Sequence, residues 1–179
     1  MSDRKWRTWE IIGLLFTIAA GNLLHFVYRW SGKNLIVAAF ASVNESAWEH
    51  MKLLAVPWLV WSAVEWLALR RSKGPVLAAR AAGLLIGLLA IPALFYTYQG
   101  VTGANSDLVN ILIFQVSVLL AFWVSWRIQS KRKMNGKLWQ WMGGLCLLAI
   151  GVLFVLWTYN PPQLPAFVDP VTNRVGPTR

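Results

Sequence analysis

The sequence is poor in charged residues, in acidic residues above all, and in cysteine. Only 13% of its 179 residues are charged, whereas a soluble domain carries about 25%. The single cysteine, Cys146, excludes an intrachain disulfide and a metal-binding cysteine cluster. A phosphate-binding loop, a dinucleotide fingerprint and an HExxH motif are also absent from the sequence, so no common nucleotide or zinc-protease signature is available.

Apolar and aromatic residues dominate instead. The chain is 57% hydrophobic and contains 12 tryptophans, and its mean hydropathy is +0.50. Tryptophan collects where membrane helices cross between lipid and water. The net charge of +10 does not indicate nucleic acid, because the basic residues lie in short connectors between apolar runs. The composition therefore predicts an integral membrane protein with no nucleic-acid partner.

Five stretches are long and apolar enough to cross a bilayer, which takes about 20 helical residues. Each is predicted to be a helix, because lipid offers no partner to a free backbone group. They cover residues 9–30, 47–69, 77–98, 108–126 and 138–159. Residues 35–43 are too short to cross and are predicted to be interfacial or re-entrant, and the proline-rich segment 160–179 is predicted to be an extended outer tail. The fold predicted for 1–179 is one all-α membrane domain, a bundle of five transmembrane helices.

The basic residues predict the orientation. Most of the 17 lysines and arginines fall before the first stretch and in the connectors after the second and fourth stretches. Cytoplasmic segments carry this excess, so the N-terminus is predicted inside and the C-terminus outside. Arg80 is assigned to the inner side in this count and Lys52 to the outer side. The chain is predicted to cross the cytoplasmic membrane several times, with the lipid bilayer as partner; homo-oligomerisation is left open.

Uncommon polar residues converge at the predicted outer ends of the helices. Glu45 and Glu49 are four residues apart where the second helix starts, and two carboxylates this close need a cation or a shared proton. With His25 and His50 they form a predicted metal-ligand set of a kind that suits zinc or another divalent ion. Glu45, Glu49 and His50 are also the predicted catalytic residues. The predicted supporting residues are Asn44, Ser46, Asp107, Asn110 and Asp169.

Each of these residues also has a structural interpretation, and the sequence leaves the choice open. Glu45 stands three residues after Ser42, the spacing of a capping box that closes the start of a helix. Glu49 gains from the helix dipole and has Lys52 or Lys33 as ion-pair partners. Helix caps and interhelical hydrogen bonds use the same residue types. Those roles are the alternative for His25, Asp107 and Asn110.

Glu65 lies near the predicted inner end of the second helix. Three arginines are within reach of it in the predicted bundle, namely Arg70, Arg71 and Arg80. A structural ion pair with one of them is the prediction for Glu65, rather than a proton path.

Three segments carry a resemblance to a known family. They are GNLLHFVY at 21–28, VNESAWEH at 43–50, and the ending that runs from Pro161 to Pro170. On these residues the chain resembles a family of small bacterial membrane proteins of unknown function, with a V-N-E-S-x-W-E-H motif. A fainter similarity to the VanZ-like membrane proteins rests on His25-Phe26 and on Asp107 with Asn110. The resemblance covers nearly the whole chain and implies a membrane protein, but it implies no activity.

The predicted function is a small membrane enzyme acting on a lipid or lipid-linked envelope substrate. Its outward-facing site of histidine and glutamate residues has a divalent metal such as zinc as the candidate cofactor. The alternative is a non-enzymatic accessory protein that binds a ligand, an ion or a partner in the same place. A transporter is disfavoured because the chain is short and shows no internal repeat.

Overall fold

The computed structural model describes residues 3–69 and 74–177; the side chains of residues 3–5 are not described. Six α-helices follow one another along these residues. They are α1 (Asp3–Trp30), α2 (Leu35–Ala38), α3 (Ala47–Leu69), α4 (Val76–Thr102), α5 (Asp107–Ser130) and α6 (Lys137–Tyr159). Across the described ranges no strand forms, and one isolated antiparallel bridge lies in the C-terminal segment.

Five of the helices, α1, α3, α4, α5 and α6, are long and apolar enough to cross a membrane. The prediction of an all-α protein with five membrane helices is confirmed. Three of the helices run well past the predicted limits, and α4 continues to Thr102. Hydropathy detects only the part of a helix that lies in hydrocarbon, whereas the helix itself can continue into the headgroup region. Because helices alternate in direction, the ends of α1, α4 and α6 meet the starts of α3 and α5.

The segment between α1 and α3 folds onto this same end of the bundle. It contains α2, a single turn whose N-cap Asn34 accepts a hydrogen bond from the Ile36 amide at 2.8 Å. Lys52 of α3 donates to the carbonyl oxygens of Ala38 and Ala41, at 3.0 and 3.3 Å. Lys52 was counted from the sequence among the basic residues of the outer side, and the structure shows that its side chain is fully buried. The carbonyls of the folded segment satisfy its ammonium group in place of water.

The C-terminal segment is folded, and the prediction of an extended tail is wrong for residues 160–177. It contains a 3-10 helix, Pro165–Phe167. Phe167 is buried and stacks on Trp48 of α3, with ring centroids 4.6 Å apart. Proline favours extended backbone, but burial of an aromatic ring against the end of the bundle stabilises the folded arrangement.

A buried polar network joins four helices near the opposite end of the bundle. Arg80 of α4 is fully buried; its guanidinium lies 3.1 Å from Glu10 of α1 and is also paired with Glu65 of α3. Ser125 and Gln129 of α5 donate hydrogen bonds to the second Glu10 oxygen, at 2.9 and 2.8 Å. The network supplies partners for three ionisable groups that lie away from water.

This network confirms the ion pair predicted for Glu65 and identifies Arg80 as its partner. Arg70 and Arg71, the other predicted partners, lie outside the described residues. Arg80 was counted from the sequence among the basic residues of the inner side, but it is the fifth residue of α4 and its side chain is buried in the bundle, so it is not part of an exposed charged surface. Charge counting along the sequence cannot distinguish an exposed arginine from one that two carboxylates neutralise.

Gly143 allows α6 to approach the start of α4 very closely. A Cβ atom at this position would lie 2.6 Å from backbone atoms of Leu77 and Ala78, which cannot move independently of α4. Small residues at such crossings let membrane helices pack backbone to backbone. Gly143→Ala is therefore expected to lower the free energy of unfolding by about 1–3 kcal/mol, as measured by thermal or denaturant unfolding in detergent.

Gly144→Ala is the matched control. Here the nearest atom to the added Cβ is a side-chain carbon of Leu77 at 3.4 Å, which is ordinary contact. Because alanine is the better helix former, this variant is expected to be neutral or more stable by up to about 1 kcal/mol. Equal stability of the two variants would contradict the close crossing.

Candidate functional site

Three of the four predicted metal ligands meet where α1 ends and α3 begins. His25 Nε2 is 3.6 Å from one carboxylate oxygen of Glu45, and His50 Nε2 is 3.6 Å from the other. The two imidazole rings are 5.7 Å apart between centroids. One ligand atom from each residue lies within 4.8 Å of the other two. We call His25, Glu45 and His50 the three-residue cluster.

The spacing of this cluster fits a metal ion. Zinc binds imidazole nitrogen and carboxylate oxygen at about 2.0–2.2 Å, so neighbouring tetrahedral ligand atoms lie about 3.4 Å apart. Each histidine nitrogen lies 3.6 Å from a different oxygen of Glu45. With one ligand atom from each residue the separations are within 4.8 Å, so the side chains have to draw together to bind one ion. Three protein ligands leave one coordination position open, which is the arrangement of catalytic rather than structural zinc sites.

The backbone of α3 orients His50 for such a role. His50 Nδ1 lies 3.0 Å from the Ser46 carbonyl oxygen. Because a carbonyl oxygen can only accept, Nδ1 carries a proton, and Nε2 is the ring nitrogen that faces Glu45 and is available to bind a metal ion. A hydrogen bond from the second ring nitrogen is the usual way in which proteins orient a metal-binding histidine. Ser46 thus contributes its carbonyl group to the site, while its hydroxyl accepts from the Glu49 amide at 3.3 Å.

Glu45 lies in the segment that precedes α3, and because of this position it contacts the two histidines rather than Glu49. α3 begins at Ala47, so helical four-residue spacing does not place Glu45 beside Glu49. A capping box between Ser42 and Glu45 does not form in the described part of the chain. The Ser42 hydroxyl instead donates to the Asn44 carbonyl at 2.8 Å, which leaves the Glu45 carboxylate facing the histidines.

The fourth predicted ligand, Glu49, is held apart from the cluster. Its carboxylate is buried, lies 2.7 Å from Lys52 Nζ and accepts a hydrogen bond from the Val43 amide at 3.0 Å. This is the structural alternative that the sequence left open for Glu49. Lys52 also binds the backbone before Val43, so the Glu49–Lys52 pair fixes the segment that carries Glu45.

A pocket of about 470 Å³ opens beside the cluster, between α1, α3 and α5. Asp107 and Asn110, both predicted supporting residues, line it from the first turn of α5. Asn110 donates to Asn105 Oδ1 at 2.9 Å, but its own Oδ1 is buried and accepts no hydrogen bond from any described residue. A buried acceptor without a partner is costly, so this oxygen is suited to a ligand or an ordered water.

The remaining supporting residues act on the surrounding backbone. Asn44 accepts a hydrogen bond from the Ser46 amide at 3.0 Å and contacts the Gly176 carbonyl at 3.4 Å. Asp169 is buried, and its carboxylate accepts from the Val171 amide at 2.9 Å in the turn of the C-terminal segment. Asp169 does not line the pocket, but the turn that it stabilises places Val171 at the rim.

Sequence patterns did not single out two further residues of the pocket, Asn22 and Arg29. They stand three residues before and four residues after His25. Residues at these intervals share one face of a helix. Once His25 is taken as a site residue, this spacing predicts that Asn22 and Arg29 face the same site.

The chain belongs to DUF6512, a family of unknown function whose model matches residues 1–177. No curated protein and no solved structure matches it. The predicted resemblance to a family of unknown function is confirmed, while the similarity to VanZ-like proteins stays a prediction. Because the family carries no established activity, the geometry of the pocket is the basis for assigning a function.

Proposed function

We propose that this protein is a metal-dependent membrane enzyme that acts on a lipid or lipid-linked envelope substrate. The observation that carries the proposal is the three-residue cluster of His25, Glu45 and His50, whose ligand atoms lie within 4.8 Å of one another beside a pocket. Two nitrogens and one carboxylate with an open position suit zinc or a similar divalent ion. Ionisable groups inside membrane helices are costly and are commonly kept for function.

The depth of the pocket supports a lipid substrate. His25 lies five residues before Trp30, where α1 ends, which corresponds to about 7 Å along the helix. His50 and Asp107 lie in the first turns of α3 and α5 at the same end of the bundle. We therefore assign the cluster to headgroup level, where a membrane enzyme meets the polar part of a lipid.

The remaining polar groups of the pocket have roles in this proposal. A divalent ion supplies Lewis acidity when bound. Asp107 lines the pocket without belonging to the cluster, so it is assigned as the general base that takes a proton from a water or an alcohol. Asn110 Oδ1, which is buried without a described partner, would accept a hydrogen bond from the same molecule and orient it.

We further propose that the N-terminus faces the cytoplasm of a bacterial cell and that the pocket faces outward. The end of the bundle opposite the pocket carries most of the exposed basic side chains. They are Arg7, Arg127, Lys131, Arg132, Lys133 and Lys137. An excess of lysine and arginine is typical of cytoplasmic segments, and it persists after the buried Arg80 is left out of the count.

One observation favours the non-enzymatic alternative, an accessory protein that binds an ion, a ligand or a partner. Asp107 is exposed, and its carboxylate makes no hydrogen bond to any described residue. A general base acts well only when it is held in a defined position. If Asp107 is not positioned by substrate, the cluster binds an ion without further chemistry.

The metal content of the purified protein tests the proposal. Protein in detergent, supplied with zinc and freed of excess ion, is expected to retain close to one equivalent by mass spectrometry. His25→Ala and His50→Ala are each expected to weaken zinc binding by more than about 100-fold, the upper end of what loss of an orienting partner costs. The reason is that each variant removes a ligand atom itself.

Glu49→Gln is the matched control for this experiment. It removes the charge of a carboxylate that the sequence placed in the ligand set and the structure places on Lys52. The glutamine oxygen can still accept from the Val43 amide, and Lys52 still binds the Ala38 and Ala41 carbonyls, so the segment that carries Glu45 is expected to stay in place and the protein to keep its zinc. Thermal unfolding shows whether each variant is folded. Folded wild-type protein that binds no divalent ion, or histidine variants that bind zinc as wild type does, would refute the metal site.

A further inference from the structure

We infer that the pocket takes a phosphate-bearing amphipathic molecule and that Arg29 binds its phosphate group. The inference rests on the proposed function, because it names the substrate class of the same site. It depends on the position of Arg29, on the charge of the pocket with and without an ion, and on the apolar wall between α1 and α5.

Arg29 lines the pocket one helical turn beyond His25. Its guanidinium forms no ion pair with any residue that the structure describes, in contrast to Arg80, which is paired with two carboxylates. The planar guanidinium offers two parallel donors that match two oxygens of a phosphate group. An unpaired arginine beside a candidate metal site is thus placed to hold one end of an anion while the ion holds the other.

The charges of the pocket make anion binding depend on the ion. Glu45 and Asp107 contribute two negative charges and Arg29 one positive charge, so with neutral histidines the lining carries a net charge of −1. A divalent ion changes this to +1. The empty pocket is therefore expected to repel phosphate, and the loaded pocket to attract it.

The apolar wall accounts for the amphipathic part of the ligand. Phe26 of α1 and Ile111 of α5 line the pocket and are also 43% and 49% exposed. Because the protein covers only about half of each of these side chains, they give the pocket an apolar wall that a lipid chain can contact. A volume of about 470 Å³ accommodates a headgroup and the start of its chains. The chains themselves would lie along the exposed faces of α1 and α5.

Calorimetric titration of zinc-loaded protein in non-ionic detergent tests the inference with three probes. Dihexanoyl phosphatidic acid carries both the phosphate and the chains, dihexanoyl glycerol lacks the phosphate, and inorganic phosphate lacks the chains. We expect phosphatidic acid to bind at least about tenfold more tightly than either of the others. We also expect this binding to be lost when a chelator removes the ion.

Arg29→Gln is expected to weaken binding of phosphatidic acid by about 10- to 100-fold, the range for a lost hydrogen bond to a charged group. The matched control is Lys33→Asn, which removes one positive charge from an exposed residue nearby that does not line the pocket. Asparagine tolerates the positive φ of 61° at that position. This control is expected to change the affinity less than threefold.

Equal effects of the two substitutions would overturn the assignment of Arg29. Equal affinity for dihexanoyl glycerol or for inorganic phosphate would overturn the substrate class. A zinc titration without lipid tests the metal site separately, so a wrong ligand assignment can be distinguished from a wrong proposed function. Normal zinc binding with no effect of Arg29→Gln refutes only the inference, whereas the absence of zinc binding refutes the metal site itself.

Discussion

Arg80→Met is expected to lower the free energy of unfolding by about 3–5 kcal/mol, the cost of removing one partner from a buried ion pair. The guanidinium of Arg80 is fully buried and lies against the carboxylates of Glu10 and Glu65. Methionine fills part of the space but leaves two carboxylates in a low-dielectric interior without a cation. Thermal and denaturant unfolding in detergent measure the loss.

Two controls show whether the loss comes from the stranded charges. Adding Glu10→Gln and Glu65→Gln to the Arg80→Met variant removes the unpaired carboxylates, so much of the lost stability is expected to return. Arg7→Met removes an exposed arginine near the same end of the bundle and is expected to change stability by less than about 0.5 kcal/mol. Similar stability of Arg80→Met and Arg7→Met would show that the network does not stabilise the fold.

Asp107→Asn is expected to lower kcat by about 10²- to 10⁴-fold, the contribution typical of a general base. The substitution keeps the size of the side chain and leaves the cluster of His25, Glu45 and His50 intact, so zinc content is expected to stay at the wild-type level. Release of phosphate from dihexanoyl phosphatidic acid is the first assay, because this lipid carries the features inferred for the substrate.

The same variant distinguishes an enzyme from a binding module. In an enzyme, Asp107→Asn abolishes turnover while zinc and lipid still bind. In an accessory protein, wild type and variant both bind without turnover, and substitutions in the pocket cause graded losses that follow affinity. Wild-type turnover that survives Asp107→Asn at full rate would remove Asp107 from the proposed chemistry.

Part of the candidate site, namely the two histidines and Glu45, could be predicted from the sequence. Both histidines and Glu45 lie near the ends of apolar runs, and the runs must alternate in direction across the bilayer. This was enough to predict that they come together. Glu49 was grouped with them by its four-residue spacing from Glu45, which applies only within a helix. Because α3 starts at Ala47, the two carboxylates leave the backbone in different directions.

Some features of the fold were not predicted from the sequence, namely the burial of Lys52 and Arg80 and the folding of the C-terminal segment. The sequence counted Lys52 and Arg80 as charges of the outer and the inner side and named each as a possible ion-pair partner, but it did not indicate that both are buried. Besides the partners named from the sequence, Glu49 and Glu65, each cation has acceptors that only the fold supplies. They are Glu10 for Arg80, 70 positions away, and the carbonyls of Ala38 and Ala41 for Lys52. Likewise, proline content favoured an extended tail, but the contact of Phe167 with Trp48 holds it on the bundle.

The sequence by itself determined the class of protein, the number of membrane helices and the end of the bundle at which the unusual polar residues gather. These properties depend on the length and composition of continuous segments, which the bilayer selects directly. Only the tertiary structure decided which carboxylate joins the histidines, which cations are buried and that Arg29 and Asn110 line one pocket. Those properties depend on how each helix is rotated about its axis and on side chains of other helices, and packing sets both.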